Sequence, residues 1–255
     1  MNCIELSQIS LSFGGVRALE NVSIAVKAGE LHSIIGPNGS GKTSLLNSIS
    51  GFYKPSEGSI IFNQSELLPL PSHKIARLGV GRTFQHGELF KHSSVIDNIK
   101  LGYHIHYKQG FLSNILFWGK TQREECVARE SIEKEIIDLL ELEHVRNEYT
   151  GNLPYGIQKR VDLARALAMK PKLLLLDEPV GGMNREEREE MVRYILDVHE
   201  RWNLTVILVE HDMGIVMDIS DTISVLNHGK KVAEGTPKEV LENSEVKKAY
   251  LGSDT

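Results

Sequence analysis

Cysteine is nearly absent from this chain, with only Cys3 and Cys126 among 255 residues. The two are far apart and lack metal-type spacing. That argues against a disulfide framework or a cysteine-held zinc and fits free thiols in a reducing compartment. No apolar run approaches the ~20 residues that a membrane-spanning helix needs, so any membrane role calls for another subunit to cross the bilayer. The amino terminus, Met1-Asn2-Cys3-Ile4-Glu5, is expected to carry no signal peptide. A net charge of -5 supplies no basic field, and no nucleic-acid partner is expected. Where basic residues gather, as in Asn184-Arg185-Glu186-Glu187-Arg188-Glu189-Glu190, acidic ones are interleaved, the pattern of a solvated helix face. Internal repeats, low-complexity tracts and disordered linkers are also missing. What is left is an ordinary soluble composition, 41% hydrophobic and 25% charged, long enough for one large domain or two small lobes.

Against that background one stretch stands out. Gly36-Pro37-Asn38-Gly39-Ser40-Gly41-Lys42-Thr43 matches G-x-x-x-x-G-K-[ST], the phosphate-binding P-loop. Leu31-His32-Ser33-Ile34-Ile35 before it reads as a short buried strand. Ser44-Leu45-Leu46-Asn47-Ser48-Ile49 after it reads as a helix that Gly51 can end. A glycine-rich loop in this setting turns several backbone N–H groups toward the helix N-terminus, where a phosphate fits. Lys42 is then placed for the β- and γ-phosphates, and the Thr43 hydroxyl for Mg²⁺.

Before the loop, Ile4, Leu6, Ile9 and Leu11 suggest one strand, and the alternation of Val22, Ile24 and Val26 a second, half-buried in an antiparallel sheet. Pro55-Ser56-Glu57-Gly58 reads as a turn and Ser59-Ile60-Ile61-Phe62 as a strand. From about Val95 to Tyr149 the pattern is helical, with Ile132, Ile136, Leu139 and Leu140 at helical spacing. Phe111-Leu112-Ser113-Asn114-Ile115-Leu116-Phe117-Trp118 suits either core or a contact surface. The last third alternates helix and strand. Lys172 to Asp177 and Leu204 to Val209 are continuous apolar runs of a covered parallel sheet. Asn184 with Glu187 predicts a capped helix whose inner stripe is Met191, Val192, Ile195, Leu196 and His199. Strands at Thr222 to Leu226 and Lys230 to Glu234 flank an Asn227-His228-Gly229 turn, and Thr236-Pro237-Lys238-Glu239 then opens a capped helix. The expected architecture is α/β, with a helical lobe inserted between the P-loop and the Asp177 strand.

Leu173 to Asp177 followed by Glu178 has the Walker B form, a buried strand ending in adjacent carboxylates. Asp177 is placed to hold Mg²⁺ directly or through water, and Glu178 to polarise an attacking water. His211 ends the next buried strand, within expected reach of a γ-phosphate. Leu153-Pro154-Tyr155-Gly156-Ile157-Gln158-Lys159-Arg160 precedes an amphipathic helix with Ile157, Val161, Ala164 and Ala168 on one face. Gly156 there offers bare N–H groups to an anion. Since the P-loop serves the chain's own nucleotide, this second terminus makes most sense facing another subunit's.

Taken in order, these motifs resemble the ATP-binding subunit of an ABC transporter over nearly the whole chain. The resemblance implies a P-loop NTPase (RecA-like) core, an antiparallel β subdomain and an inserted helical subdomain at about 95–165, within one ATP-binding domain spanning 1–255. It implies ATP and Mg²⁺ as cofactors. Phe13 looks like the adenine-stacking aromatic, and Gly36, Pro37, Asn38, Gly39, Ser40, Gly41, Lys42, Thr43 and Ser44 like the phosphate cradle. Gln85 is similar to the Q-loop glutamine, serving metal and catalysis. Leu153 to Gln158 occupies the signature position with Gly156 on the opposing nucleotide, Gly181-Gly182-Met183-Asn184 that of the D-loop, and His211 that of the switch histidine.

Two departures are visible. The family signature Leu-Ser-Gly-Gly-Gln is here Leu153-Pro154-Tyr155-Gly156-Ile157, without the serine hydroxyl or the first glycine, and Pro154 has no N–H to donate. The D-loop ends in Asn184 rather than aspartate. Leu-Pro-Tyr-Gly-x-Gln, Arg82-Thr83-Phe84-Gln85, Gly51-Phe52-Tyr53-Lys54-Pro55 and Glu210-His211-Asp212-Met213 together look like the ATPases of branched-chain amino-acid importers, the LivG type. The segment from Leu101 to Arg129 also resembles that group. Membrane permease subunits, a second ATPase in a hetero- or homodimer and, indirectly, a substrate-binding protein are the implied partners. The implied place is the cytoplasmic face of the inner membrane. The readings left open are an ATPase of lipopolysaccharide export or soluble cluster assembly, and a regulatory subunit that binds ATP but barely hydrolyses it. A GTPase is disfavoured, since no Asn-Lys-x-Asp motif occurs.

Overall fold

A computed structural model describes residues 1–83, 89–106 and 133–251. Phe84, Gln85, Cys126, Ile132 and the 111–118 stretch lie outside the described residues. The chain divides into two compact units: Met1–Arg82 with Lys172–Pro179 and Ile195–Thr255, and Thr83–Pro171 with Val180–Tyr194.

The first unit holds both sheets. Strands β1 (Asn2–Phe13), β2 (Val16–Lys27), β4 (Glu57–Phe62) and β5 (Ser65–Glu66) form an antiparallel sheet in the order β2-β1-β4-β5. The alternation read in the sequence has its cause here: Ile4, Leu6, Ile9 and Leu11 of β1 and Val22, Ile24 and Val26 of β2 are buried. The second sheet runs β10 (Lys230–Gly235), β9 (Thr222–Asn227), β3 (Leu31–Ile35), β8 (Thr205–Val209), β7 (Leu173–Asp177), β6 (Val80–Arg82). The pairs from β9 to β6 are parallel, and β10 returns antiparallel. All five residues of β3, β7 and β8 are buried, which is why β7 and β8 read as apolar runs; in β3 the buried His32 ring is hydrogen-bonded to Glu30 and Ser224. Each fully buried leucine of β7 is worth ~1.5–3 kcal/mol over its exposed state. Helices α1 (Lys42–Ile49), α2 (Ser72–Leu78), α6 (Met213–Ile219), α7 (Pro237–Glu242) and α8 (Ser244–Leu251) complete the unit, with the C-terminal half of α5 (Arg185–Trp202). The cap expected at the Thr236 to Glu239 helix start is present, as a capping box between Thr236 and Glu239.

The second unit is helical over its described residues, with α3 (Val95–Tyr103) against α4 (Tyr155–Ala168). A Cβ on Gly102 would collide with the Arg165 carbonyl, so glycine permits the close approach. Buried Asn98 ties the start of this unit together. Its side chain accepts from Phe90 N–H at 2.9 Å and donates to the carbonyls of Phe90 and Ser94 at 3.2 and 3.0 Å.

Three local expectations need correction. Strand β4 begins at Glu57, inside the expected turn, because Ser10 pairs with Glu57. Of the stripe expected on α5, Met191 and Ile195 are buried, whereas Val192, Leu196 and His199 are only partly so. Tyr194 and Val198 take their place. A tyrosine was not counted as apolar, yet its body packs while its hydroxyl donates to Glu141 at 2.9 Å. At Ile136 and Leu140, both buried, the described residues form a π turn, Glu133–Ile137, that runs into a turn in which Glu141 takes φ 53.

Candidate nucleotide site

Sheet register levels the strand ends from which the site is built. Ile34 of β3 and Asp177 of β7 are both opposite Val209 of β8, so the carboxyl ends of the three strands coincide. Crevices at such ends are where open α/β sheets bind ligands.

The loop from Gly36 to Gly41 fills the step from β3 into α1. A Cβ on Gly36 would run into the Leu226 carbonyl and come within 2.7 Å of Ser40 Oγ. Gly41, at φ +105, is the N-cap of α1, and a Cβ there would stand 2.6 Å from the Ala18 carbonyl. Ser40 Oγ is buried with no hydrogen-bond partner in the structure. Asn38, Gly39 and Thr43 are exposed, and Pro37 and Ser44 half-buried. Lys42 is buried and donates from Nζ to the carbonyls of Gly36 at 2.8 Å and Pro37 at 3.1 Å. Burial pushes its pKa down, while Glu178 and Asp177 oppose that shift.

Thr43 Oγ1 donates to Asp177 Oδ1 at 3.3 Å. Asp177 is almost fully buried, and burial raises its pKa against the pull of Arg82 and Thr43. Glu178 sits in the left-handed region at φ 49, held by its N–H on the Val209 carbonyl at 2.9 Å. Strain of this kind costs ~1–3 kcal/mol and gathers at functional positions. His211 Nδ1 lies 4.0 Å from Glu178 Oε1 and 3.7 Å from Glu210 Oε2. The His211 ring is mostly exposed, whereas Glu210 is fully buried and accepts the His211 N–H at 3.0 Å.

This donor set fits a magnesium polyphosphate. An unpartnered buried hydroxyl, the open amides of a helix start and a lysine now resting on loop carbonyls suit phosphate oxygens. Thr43 and Asp177 would offer two oxygens to Mg²⁺, an ion that commonly keeps water and phosphate among its ligands.

Lys42, Thr43, Asp177, Glu178 and His211 thus come together as expected from sequence. Phe13 packs edge-on against Tyr53, ring centroids 4.9 Å apart, and is 45% exposed, which argues against a core role. Gln85 lies outside the described residues. Sequence reasoning gave no role to Arg82. Its guanidinium donates to Asn47 Oδ1 and Ser50 Oγ, both at 2.7 Å, and to Asp177 Oδ2 at 3.2 Å. Burial pushes its pKa down, against the pull of Asp177. The available signal was a lone arginine closing the short strand Val80-Gly81-Arg82. Glu210, a carboxylate ending an apolar strand, was equally legible and equally passed over.

In the second unit Gly156 is buried in the first turn of α4. The helix begins at Tyr155, inside the motif expected to precede it. Pro154 is the N-cap, and its carbonyl accepts Gln158 N–H at 3.0 Å. Proline's missing N–H takes no bond from the helix here, because the first turn's donors have no intrahelical partners.

A family model described as ABC transporter matches residues 19–181, and one described as Branched-chain amino acid ATP-binding cassette transporter matches 230–255. The chain is 41% identical over 251 residues, 98% of its length and 97% of the relative's, to the high-affinity branched-chain amino acid transport ATP-binding protein LivG of Escherichia coli K12. A nucleotide-free ATP-binding cassette from an ABC transporter superposes with a TM-score of 0.84 at 31% identity, covering 98% of this chain and 99% of the other. A dimeric ATP-binding cassette bound to ADP and Pi superposes with a TM-score of 0.77 at 26% identity, covering 92% and 98%.

Proposed function

The chain belongs to the ABC transporter ATP-binding family, and from that premise we propose that it is the ATP-hydrolysing subunit of an importer for branched-chain or related amino acids. It works at the cytoplasmic face of the inner membrane, on permease subunits that cross the bilayer, paired with a second ATPase. A substrate-binding protein delivers the cargo from the other side. Among the described residues no helix is long and apolar enough to span a membrane. The observation that carries the reading is the convergence of Lys42, Thr43, Asp177, Glu178 and His211 at the level ends of β3, β7 and β8.

In this reading the amides of Gly39 to Thr43 and the Lys42 ammonium hold the phosphates, Ser40 and Ser44 lie within the same cradle, and Phe13 stacks on the base. Thr43 and Asp177 would hold Mg²⁺, which would spread the charge of the polyphosphate. Glu178 accepts a proton from water as that water's oxygen bonds to the γ-phosphorus. The bond from phosphorus to the bridging oxygen breaks, and ADP leaves with the electron pair. His211, exposed and beside Glu178, orients the γ-phosphate, and Gln85 takes the γ-phosphate-sensing role that the family resemblance implies. Gly156 serves the nucleotide of the paired subunit. The test is Glu178→Gln in the assembled transporter. The carboxamide keeps the shape and removes the base, so ATP still binds while single-turnover hydrolysis falls by ~10²–10⁴. A rate near wild type would rule out Glu178 as the base. Absence of ATP-driven leucine uptake by vesicles holding the intact transporter would refute the substrate class.

A further inference from the structure

Within the second unit, the signature turn and the D-loop exchange side chains through two glycines. Gly156 has no room for a Cβ: such an atom would stand 2.6 Å from Glu187 Oε1 and 2.8 Å from Glu187 Cδ. Glu187 comes from the first turn of α5, just past the D-loop. Its other oxygen, Oε2, accepts the Asn184 N–H at 3.0 Å, and its own N–H donates to Asn184 Oδ1 at 3.0 Å. That reciprocal cap fixes the carboxylate, so it cannot swing off Gly156 without opening the start of α5. In the opposite direction Tyr155 lies over Gly182. A Cβ on Gly182, at φ +78, would stand 3.1 Å from Tyr155 Cε1. The Lys159 ammonium, 5.7 Å from the Tyr155 ring centroid, steadies the ring.

We propose that Tyr155 and Glu187 clasp the signature turn to the D-loop of the same chain, and that both are positioning residues for hydrolysis. The residue that departs from the family signature, tyrosine in place of its first glycine, supplies half of the clasp. The Glu187 carboxylate also lies in the first turn of α5 and against Gly156 in the first turn of α4, and the positive ends of both helix dipoles favour its negative charge. This inference rests on the reading that Gly156 serves a phosphate of the paired subunit. A phosphate arriving there meets a fixed carboxylate, and like charges pass the displacement on to Asn184. The signature turn and D-loop therefore respond to nucleotide as one piece.

The experiment is steady-state ATPase activity of the assembled transporter, with ATP binding and thermal midpoints measured on the same samples. Glu187→Ala and Tyr155→Ala are each expected to lower kcat roughly tenfold while KM changes less than about twofold. Glu187→Gln keeps the acceptor for Asn184, and Tyr155→Phe keeps the ring, so each retains at least about half of kcat. Gly156→Ala forces Glu187 aside, so the double variant Gly156→Ala/Glu187→Ala is no worse than the poorer single one. Singles within about twofold of wild type, or strictly multiplicative losses in the double variant, would overturn the clasp. So would a kcat loss fully explained by a fallen thermal midpoint. Failure of the wild-type assembly to bind or hydrolyse ATP would instead refute the function proposed above.

Discussion

Removing Arg82 is the sharpest perturbation the structure offers, because one side chain holds three elements at once. Its guanidinium joins Asn47 and Ser50 at the end of α1 to Asp177 at the end of β7, and it lies 5.9 Å from the Phe52 ring centroid. Arg82 and Asp177 side chains are 7% and 1% exposed. Truncating one partner of so buried a pair leaves an uncompensated charge, at ~3–5 kcal/mol. At ~2–4 °C per kcal/mol for a chain of this size, Arg82→Ala should lower the thermal midpoint by about 6–20 °C. Burial already raises the Asp177 pKa, and Arg82 opposes that rise, so its loss raises the pKa further. A carboxyl raised in the folded state favours the native state while protonated and loses that stability as pH rises through its folded pKa. The deficit of Arg82→Ala should therefore be largest at high pH, where Asp177 is ionised, and shrink as pH falls through its raised folded pKa. Asp177→Asn placed in the Arg82→Ala background removes the stranded charge and should recover part of the loss. Mg²⁺ with ATP should raise the midpoint of Arg82→Ala more than that of wild type, since the metal supplies the missing positive charge. Differential scanning fluorimetry across pH, with and without nucleotide, reads all of these. A midpoint within about 2 °C of wild type, or additive effects of the two substitutions, would refute the reasoning.

Phe13→Ala should weaken ATP and GTP binding alike by ~1–3 kcal/mol, because stacking reads the face of a base. Phe13 is half exposed, so the thermal midpoint should barely move; lost stability with unchanged affinity in a titration would place Phe13 in the core instead. In a heterodimer whose other subunit keeps a standard signature, Lys42→Ala should harm vesicle uptake more than the matching change in the partner. A charged hydrogen bond is worth ~1.5–3 kcal/mol, so the site facing Pro154 and Tyr155 should already run slower by one to two decades. Equal losses, or a homodimer, would count against that asymmetry. Glu30 is buried: burial works to raise its pKa, but hydrogen bonds from His32 and the Lys27 N–H hold it at about 2. Its contribution is complete above the unfolded value of ~4.3 and is lost as pH falls toward 2. Glu30→Gln should therefore flatten the fall of the thermal midpoint between about pH 5 and 3; an unchanged acid limb would contradict this.

Short-range physics wrote much of this molecule into its sequence. The P-loop announces itself because a tight glycine turn between strand and helix needs those residues in that order. The Thr236–Glu239 and Asn184–Glu187 caps rest on bonds between residues three apart. Strands β7 and β8 were legible because burial on both faces leaves them almost entirely apolar. Asp177 and Glu178 could be placed at a strand end for the same reason. Contacts between distant segments left no such trace. That β8 lies between β3 and β7, and so levels Ile34, Val209 and Asp177, depends on strand pairing. Arg82 stood in a family-like motif with no role of its own, and only the docking of β6 beside β7 put its guanidinium against Asp177. Phe13 and Tyr53, 40 residues apart in sequence, meet only when the antiparallel sheet forms. Gly156 was readable as an anion-facing glycine, but the carboxylate that needs its bareness comes from Glu187, more than 30 residues on. A sequence records what each residue demands of its near neighbours. Which distant group satisfies a buried charge or fills the space over a glycine is decided when the chain excludes water and those groups have only each other.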